Sequence, residues 1–317
     1  MREKLASIDI GSHTARLLVA KNLGPSKPLR PLARRRAYIR LAQGFDHSGK
    51  KIIQPEAIDL TLKAVEGFLR CMKMFNVHSV HAVATGVVRE AANRDEFLNR
   101  IREHTGIYVR PISGDEEALL TGKGALHALD IRGRPFLVFD LGGGSTEFLF
   151  GNEGGEITRS IPLGAAILTQ EYLKSDPPEE TQLNALSRHI DESLKKARLE
   201  ACASDDQCLI AATGGTVTAL AAMTDGITLK EITPDRINGL ILKRPQVEAL
   251  LGKIKGLSVE KRCRLPGLDR GRAEVILAGL IIVIRILKFF ESVQLTVSLS
   301  DLLEGILIDR SEGEGNA

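Results

Sequence analysis

The sequence predicts an α/β protein built by duplication into two domains. Three observations carry this. A unit of strand, Asp, Gly-containing turn and strand occurs twice, around Asp9 and again around Asp140. The two Asp residues lie 131 positions apart, the scale of a duplicated domain rather than a solenoid repeat. Short apolar runs of strand length alternate with longer segments of helical spacing through both halves. The chain has 317 residues, 43% of them hydrophobic and 26% charged, which suits about two domains with a sizeable core.

The later copy is the richer one. Phe136–Phe139 is an apolar run that ends on Asp140; Gly142, Gly143, Gly144, Ser145 and Thr146 follow, then Glu147 and a second apolar run, Phe148–Phe150. Glycines permit positive φ and let a bound group approach the backbone. Successive N–H groups in such a turn form a nest for an anion such as phosphate. Asp140, at the strand end, is placed to hold a hydrated Mg2+ that the phosphate would also touch. The early copy runs from Ala6 to Ala20, with Asp9, then Gly11, Ser12 and Thr14. Either hairpin alone could be a plain glycine turn. Two such turns point to phosphate chemistry, facing each other across a cleft around one phosphoanhydride.

The remaining elements follow in order. Gly24 to Pro31, with three prolines, reads as a turn. Leu32 to Leu41 carries Arg34, Arg35, Arg36 and Arg40, either a solvated strand edge or a basic lip for a polyanion. Pro55 to Phe75 is an amphipathic helix, with Ile58, Leu62, Val65, Leu69 and Met72 at helical spacing. A strand from His78 ends at Thr85 and Gly86 and leads into a helix carrying Arg89, a usual place for ligand groups in α/β folds. His78 and His81 read as structural. Ile107 to Pro111 is a strand. Asp115, Glu116 and Glu117 then open a helix reaching about Ala128. They are either dipole-complementing acids or the source of a general base, whose pKa crowding by Asp115 and Glu116 would raise.

Beyond the second turn, Arg159 to Leu168 gives a strand and a helix start, and Thr181 to Leu199 is helical. Cys208 to Ala212 is a strand running into Thr213, Gly214, Gly215 and Thr216, which is a phosphate-binding helix N-terminus or simply a cap. Pro245 to Ile254 is a helix, Arg262 to Arg272 a basic irregular loop, and Ala273 to Phe290 a buried core helix. Leu295 to Leu299 is a strand, Asp301 to Asp309 begins a last helix, and Ser311 to Ala317 reads as disordered.

Composition narrows the class. A net charge of +3 gives no polyelectrolyte character, so a nucleic acid partner is not expected and anion preference must be local. The four cysteines, Cys71, Cys202, Cys208 and Cys263, form no Cys-x-x-Cys pair. That argues against zinc and for a reducing, cytoplasmic setting. The N-terminal apolar run is short and broken by Asp9, unlike a signal peptide. The longest apolar run, Val275 to Ile284, stops at Arg285, about half of what a spanning helix needs, so no membrane partner is expected. There is no P-loop, no dinucleotide fingerprint and no Gly-x-Ser-x-Gly elbow.

Six segments occur in one order: Ile8 to Ser12; Ala84-Thr85 with Arg89 and Asn93; Ile112 to Gly114 with Glu116-Glu117; Asp140 to Glu147; Ala212 to Thr216; and Leu265 to Leu268. Together the chain resembles the exopolyphosphatase / guanosine pentaphosphate phosphohydrolase (Ppx/GppA) family, over nearly its whole length. The resemblance implies the actin-like ATPase (ribonuclease H-like) fold, two α/β domains with a cleft between them. Domain I would span 1–125 plus about 301–317, and domain II 126–300. The activity implied is Mg2+-dependent removal of terminal orthophosphate from polyphosphate or guanosine pentaphosphate, with a homodimer expected. Glu117 falls on the proposed base and Arg89 on a phosphate-binding arginine. Asp140 and Glu147 would hold Mg2+ or orient water. Asp9, Gly11 and Ser12, with Gly142, Gly143, Gly144 and Ser145, would cradle phosphate, joined by Thr213, Gly214 and Gly215.

Three positions depart from the family pattern: His13 for Asn, Leu119 for Arg and Leu303 for Arg. The sequence stops where longer members add a C-terminal helical domain, so the resemblance implies a short, two-domain form. The lost cations motivate a second reading, a non-catalytic sensor that binds guanosine polyphosphate or polyphosphate and reports by domain closure. A sugar-kinase-like phosphotransferase is a third reading.

Overall fold

The computed structural model describes residues 3–23, 29–45, 51–131, 133–152, 154–199 and 208–314, with side chains to residue 310. Part of the proline turn and Cys202 lie outside the described residues. The chain divides into two compact units, Met1–His127 with Asp301–Ala317, and Ala128–Ser300.

The first unit contains β1 (Lys4–Ile10), β2 (Thr14–Lys21), β3 (Arg30–Tyr38), helix α1 (Pro55–Phe75), β4 (Ser79–Ala84), α2 (Val87–Glu90), α3 (Arg94–Thr105), β5 (Val109–Pro111) and α4 (Gly114–Leu129). Its sheet order is β3-β2-β1-β4-β5. The first three strands are antiparallel, and β4 and β5 run parallel to β1. Leu17 to Ala20 are buried without alternation, because both faces of the sheet are covered. Helix α1 covers one face. The C-terminal helix, Leu302–Glu314, covers the other and buries Leu303 and Leu307 against Leu5, Leu18 and Ala20. That helix crosses α4 backbone to backbone. A Cβ on Gly305 would lie 1.8 Å from the Leu120 carbonyl, and one on Gly124 2.1 Å from the Asp301 carbonyl.

The second unit contains β6 (Phe136–Leu141), β7 (Thr146–Asn152), β8 (Gly155–Ile161), α5 (Ala165–Tyr172), α6 (Glu180–Lys196), β9 (Leu209–Thr213), α7 (Gly215–Thr224), α8 (Pro234–Ile237), β10 (Ile241–Lys243), α9 (Arg244–Ile254), α10 (Val259–Arg262), α11 (Arg270–Ala273), α12 (Ile276–Phe289) and β11 (Gln294–Val297). The sheet order is β10-β11-β9-β6-β7-β8. Read from β8, the strands repeat the order of the first unit, three antiparallel and two parallel, with β10 added at the far edge. This is the ribonuclease H-like topology, present twice. Helix α12 is buried from Ile276 through Ile284 and packs among α5, α6, α7 and α9, the place expected of an apolar run too short to span a bilayer. Among the described residues, no helix is long and apolar enough to cross a membrane.

Three local expectations change. The basic segment from Arg262 to Arg272 holds the end of α10 and most of α11, and Arg262 is only 3% exposed. Burial pulls the Arg262 guanidinium below its usual pKa, against the opposing charge of Asp176. The helix near the C-terminus continues to Glu314, past the expected onset of disorder at Ser311; residues 315–317 lie outside the described residues. The strand β10 and the four-residue helix α8 were not anticipated, being too short to show periodicity.

Candidate active site

The two Asp-Gly turns are built alike. In each, the glycine N–H closes the hairpin on a carbonyl three residues on, Gly11 to Thr14 and Gly142 to Ser145, both at 3.0 Å. In the second unit, the carbonyls of Gly142 and Gly143 accept from the first amides of α5: Ala165 at 3.0 Å, Ala166 at 2.9 Å and Ile167 at 3.1 Å. In a trans peptide, C=O and the following N–H point in opposite directions. The N–H groups of Gly143 and Gly144 therefore face away from α5, side by side, as an anion nest requires. Gly164 permits this approach, since a Cβ there would lie 2.2 Å from the Gly144 carbonyl carbon. In the first unit the carbonyls of Ser12 and His13 are held in the same way, by the amides of Ala42 (2.8 Å) and of Ile39 and Arg40 (3.1 Å each).

The rungs above the turns differ in charge. Asp9 on β1 pairs with Arg16 on β2, and Arg16 donates to Asp9 Oδ2 from Nη2 at 2.7 Å and Nε at 3.0 Å. Thr85 donates to the other carboxylate oxygen at 3.3 Å. Arg16 also pairs with Asp301 at the start of the C-terminal helix. Burial pushes the Asp9 carboxyl above its usual pKa, and Arg16 offsets this only in part. The corresponding rung of the second unit pairs Asp140 with Glu147. Both are carboxylates, 7% and 2% exposed, and opposite residues of an antiparallel pair share a face with Cβ atoms about 5 Å apart. Ser160 donates to Glu147 Oε1 at 2.8 Å.

Such a pair fits Mg2+, which commonly takes one or two carboxylates and completes its octahedron with phosphate and water. Gly214 supports the fit. It has φ +98°, and a Cβ there would lie 2.6 Å from Asp140 Oδ1. Among the described residues, no group of three or more His, Cys, Asp or Glu side chains is arranged to hold a metal.

Around the first turn, Ser12 Oγ accepts from the Val87 amide at 3.1 Å. Gly86 makes this contact possible with φ +54°, since a Cβ there would lie 2.1 Å from Ser12 Oγ. Arg89 Nη1 donates to Glu117 Oε2 at 3.0 Å and to the Ile112 carbonyl at 3.1 Å. Glu117 is buried at the start of α4. Of the two acids beside it, Glu116 is held by Arg110 with two hydrogen bonds at 2.5 and 2.9 Å. Glu117 itself meets the cation of Arg89. Asn93 has a structural task, exchanging hydrogen bonds with the Ile53 backbone at 2.9 and 3.0 Å.

The third glycine turn has a cation beside it. Thr213 directs its hydroxyl to the Ser300 carbonyl at 3.4 Å. A Cβ on Gly215 would lie 1.8 Å from the Arg272 guanidinium, so a cation lies against the first residue of α7. Arg272 is also paired with Asp269 at 3.2 Å.

The departures from the family pattern do not all face the turns. Leu303 is 3% exposed in the apolar cluster under the C-terminal helix. Leu119 lies two residues past Glu117 on α4, a spacing that puts the two on different sides of a helix. Sequence reasoning did not assign Arg16, Gly86 or Gly164. For Arg16 and Gly86 a signal existed, since they flank named motif residues.

The profile of the Ppx/GppA phosphatase family matches residues 18–314. The chain belongs to the Ppx/GppA phosphatase family. Exopolyphosphatase 2 of Mycobacterium tuberculosis is 31% identical, over 96% of this chain and 98% of the relative. The crystal structure of the Aquifex aeolicus Ppx/GppA family member is similar with a TM-score of 0.80 and 29% identity, covering 100% of both chains. An exopolyphosphatase structure from Cytophaga hutchinsonii reaches a TM-score of 0.88 at 24% identity, over 98% of each chain, and shows the fold. The duplicated sheet topology described above is this Ppx/GppA fold, of the actin-like ATPase class.

Proposed function

We propose that this chain is a Mg2+-dependent hydrolase that removes terminal orthophosphate from inorganic polyphosphate, from guanosine pentaphosphate, or from both. The observation that carries the reading is the Arg89–Glu117 pair, which holds a buried carboxylate in one orientation beside a guanidinium at the start of α4. The exopolyphosphatase name of the M. tuberculosis relative supports the substrate class.

Phosphoryl transfer needs an in-line water, donors on the equatorial oxygens and charge neutralisation. Glu117 accepts a proton from water at a carboxylate oxygen. The water oxygen bonds to the terminal phosphorus, the anhydride P–O bond breaks, and the shortened chain leaves with that electron pair. Arg89 uses one nitrogen, Nη1, for both bonds described. A guanidinium has five N–H donors, so its other edge serves a phosphate oxygen. Gly142 to Ser145, and Gly11 with Ser12, offer amide and hydroxyl donors. Asp9 acts through Arg16 and Thr85, which it holds, because one anion does not bind another directly. Bound at Asp140 and Glu147, Mg2+ would neutralise phosphate charge. Thr213, Gly214 and Gly215 shape the backbone beside Asp140. A homodimer in a reducing cytoplasm, without nucleic acid or membrane partners, completes the proposal; its support is the family likeness, the sparse cysteines and the near-neutral charge.

The test is orthophosphate release with Mg2+ from long polyphosphate, short polyphosphate and guanosine pentaphosphate in parallel. Glu117→Gln should lower kcat by about 10²–10⁴-fold and leave substrate binding intact. No release from any substrate, with binding retained, would replace the hydrolase with a sensor.

A further inference from the structure

Strand β3 is the edge strand of the first sheet and carries Arg30, Arg34, Arg35 and Arg36. The register sorts these arginines. Arg36 stands opposite Arg16, which stands opposite Asp9, so the three occupy one rung on one face. Arg34, two residues earlier on that face, is drawn to Glu304 of the C-terminal helix. Arg35 belongs to the opposite face, and its Nη1 donates to the Arg34 carbonyl at 2.8 Å.

The Arg36 guanidinium lies over the Tyr38 ring, 5.3 Å from its centroid. Tyr38 packs edge-on against His13, with centroids 5.3 Å apart and planes at 71°. His13 belongs to the first Asp-Gly turn. The backbone reinforces the connection, since the amides of Ile39, Arg40 and Ala42 hold the carbonyls of His13 and Ser12. Arg40 is kept in the left-handed region, φ 50°, at a cost of about 1–2 kcal/mol. The end of β3 is thereby fixed to the turn.

A guanidinium stacked on an aromatic face keeps its N–H edges in plane and outward, and loses less freedom per hydrogen bond formed. Arg36 is exposed and two strands from Asp9, about 10 Å across the sheet. That separation spans several P–O–P links, so it suits an inner phosphate, beyond the reach of tripolyphosphate, on a chain whose end is held at the turn.

We propose that Arg36, oriented by Tyr38, is a phosphate subsite that takes an inner phosphate of a polyphosphate chain and sets preference for longer substrates. This rests on the phosphoanhydride reading above. The test compares Arg36→Gln with Arg36→Lys and with Arg35→Gln, the control on the other face of the same strand. Orthophosphate release with Mg2+ is measured on tripolyphosphate and on long-chain polyphosphate. Binding of end-labelled long-chain polyphosphate is followed by fluorescence anisotropy.

Arg36→Gln should raise KM and Kd for the long chain about tenfold, the loss of one charge-assisted contact, with kcat and the tripolyphosphate KM unchanged. Arg36→Lys should recover part of the loss, and Arg35→Gln should match the wild type. Equal losses on both substrates, an equal loss in Arg35→Gln, or no loss would overturn the subsite. If the wild type releases no orthophosphate at all, the hydrolase reading falls and anisotropy still decides. Long-chain binding that weakens in Arg36→Gln keeps the subsite; binding that is absent or indifferent to the substitution removes it.

Discussion

Asp140 and Glu147 face one another across β6 and β7 at the rung that Asp9 and Arg16 occupy across β1 and β2. Duplication has kept the geometry and changed one charge. The first copy neutralises its carboxylate with an internal guanidinium. The second sets two carboxylates together on that rung.

That difference can be measured. Like charges directly opposite in a sheet destabilise it by about 0.2–1 kcal/mol, so Glu147→Gln should raise stability by that amount in EDTA. Added Mg2+ should raise the Tm of the wild type and leave the variant's Tm unmoved, as read by calorimetry. An equal Mg2+ shift in both would remove Glu147 from the metal site.

Gly86 carries a backbone constraint and a steric one together, with φ +54° and Ser12 Oγ where a Cβ would stand. Gly86→Ala should destabilise the protein by about 1–3 kcal/mol, seen as a lower urea midpoint with unchanged m. Gly67, inside α1 with no atom closer than 3.8 Å to its Cβ position, is the control. There Gly→Ala should stabilise by about 0.5–1 kcal/mol.

Restoring the family's arginine at position 303 should not improve phosphate binding. Leu303 packs against Leu5, Leu18 and Ala20, and its carbonyl accepts from the buried Ser7 hydroxyl at 2.8 Å. Leu303→Arg places a charge in that cluster and should cost about 3 kcal/mol or more. Thermal unfolding tests this; a Tm equal to that of the wild type would refute the core assignment.

Burial pushes the Glu304 carboxyl above its ordinary value of 4.5, with Arg34 opposing. A carboxyl with a raised folded pKa holds its proton more tightly in the folded chain. Its contribution is fully present below the unfolded value and is lost as pH rises through the folded one. Wild type should therefore lose ground to Glu304→Gln as pH rises from about 4.5. Tm differences between the two proteins across that range provide the check, and a pH-independent difference would contradict it.

Much of this was legible in the sequence. The repeated Asp-Gly turns show themselves because glycine, short polar residues and strand periodicity are local signals. Glu117 and Arg89 were each legible as candidates, yet their partnership was not, since it joins the start of α4 to a four-residue helix 28 positions earlier. The arginine run on β3 read as one feature and is three. Arg34 is committed to a residue 270 positions away, Arg35 to its own strand, and Arg36 to Tyr38. Leu303 looked like a lost phosphate ligand because adjacency to a motif says nothing about which way a side chain points.

The C-terminal helix has a consequence for biogenesis. Arg16, Arg34 and Ser7, near the beginning of the chain, each take a partner from the C-terminal segment: Asp301, Glu304 and Leu303 respectively. On the ribosome those partners are made after the whole of the second unit. The second unit, continuous from Ala128 to Ser300, is complete before they emerge. The first unit cannot close these contacts until the second has been synthesised, so the unit that begins translation first is the later one to be completed.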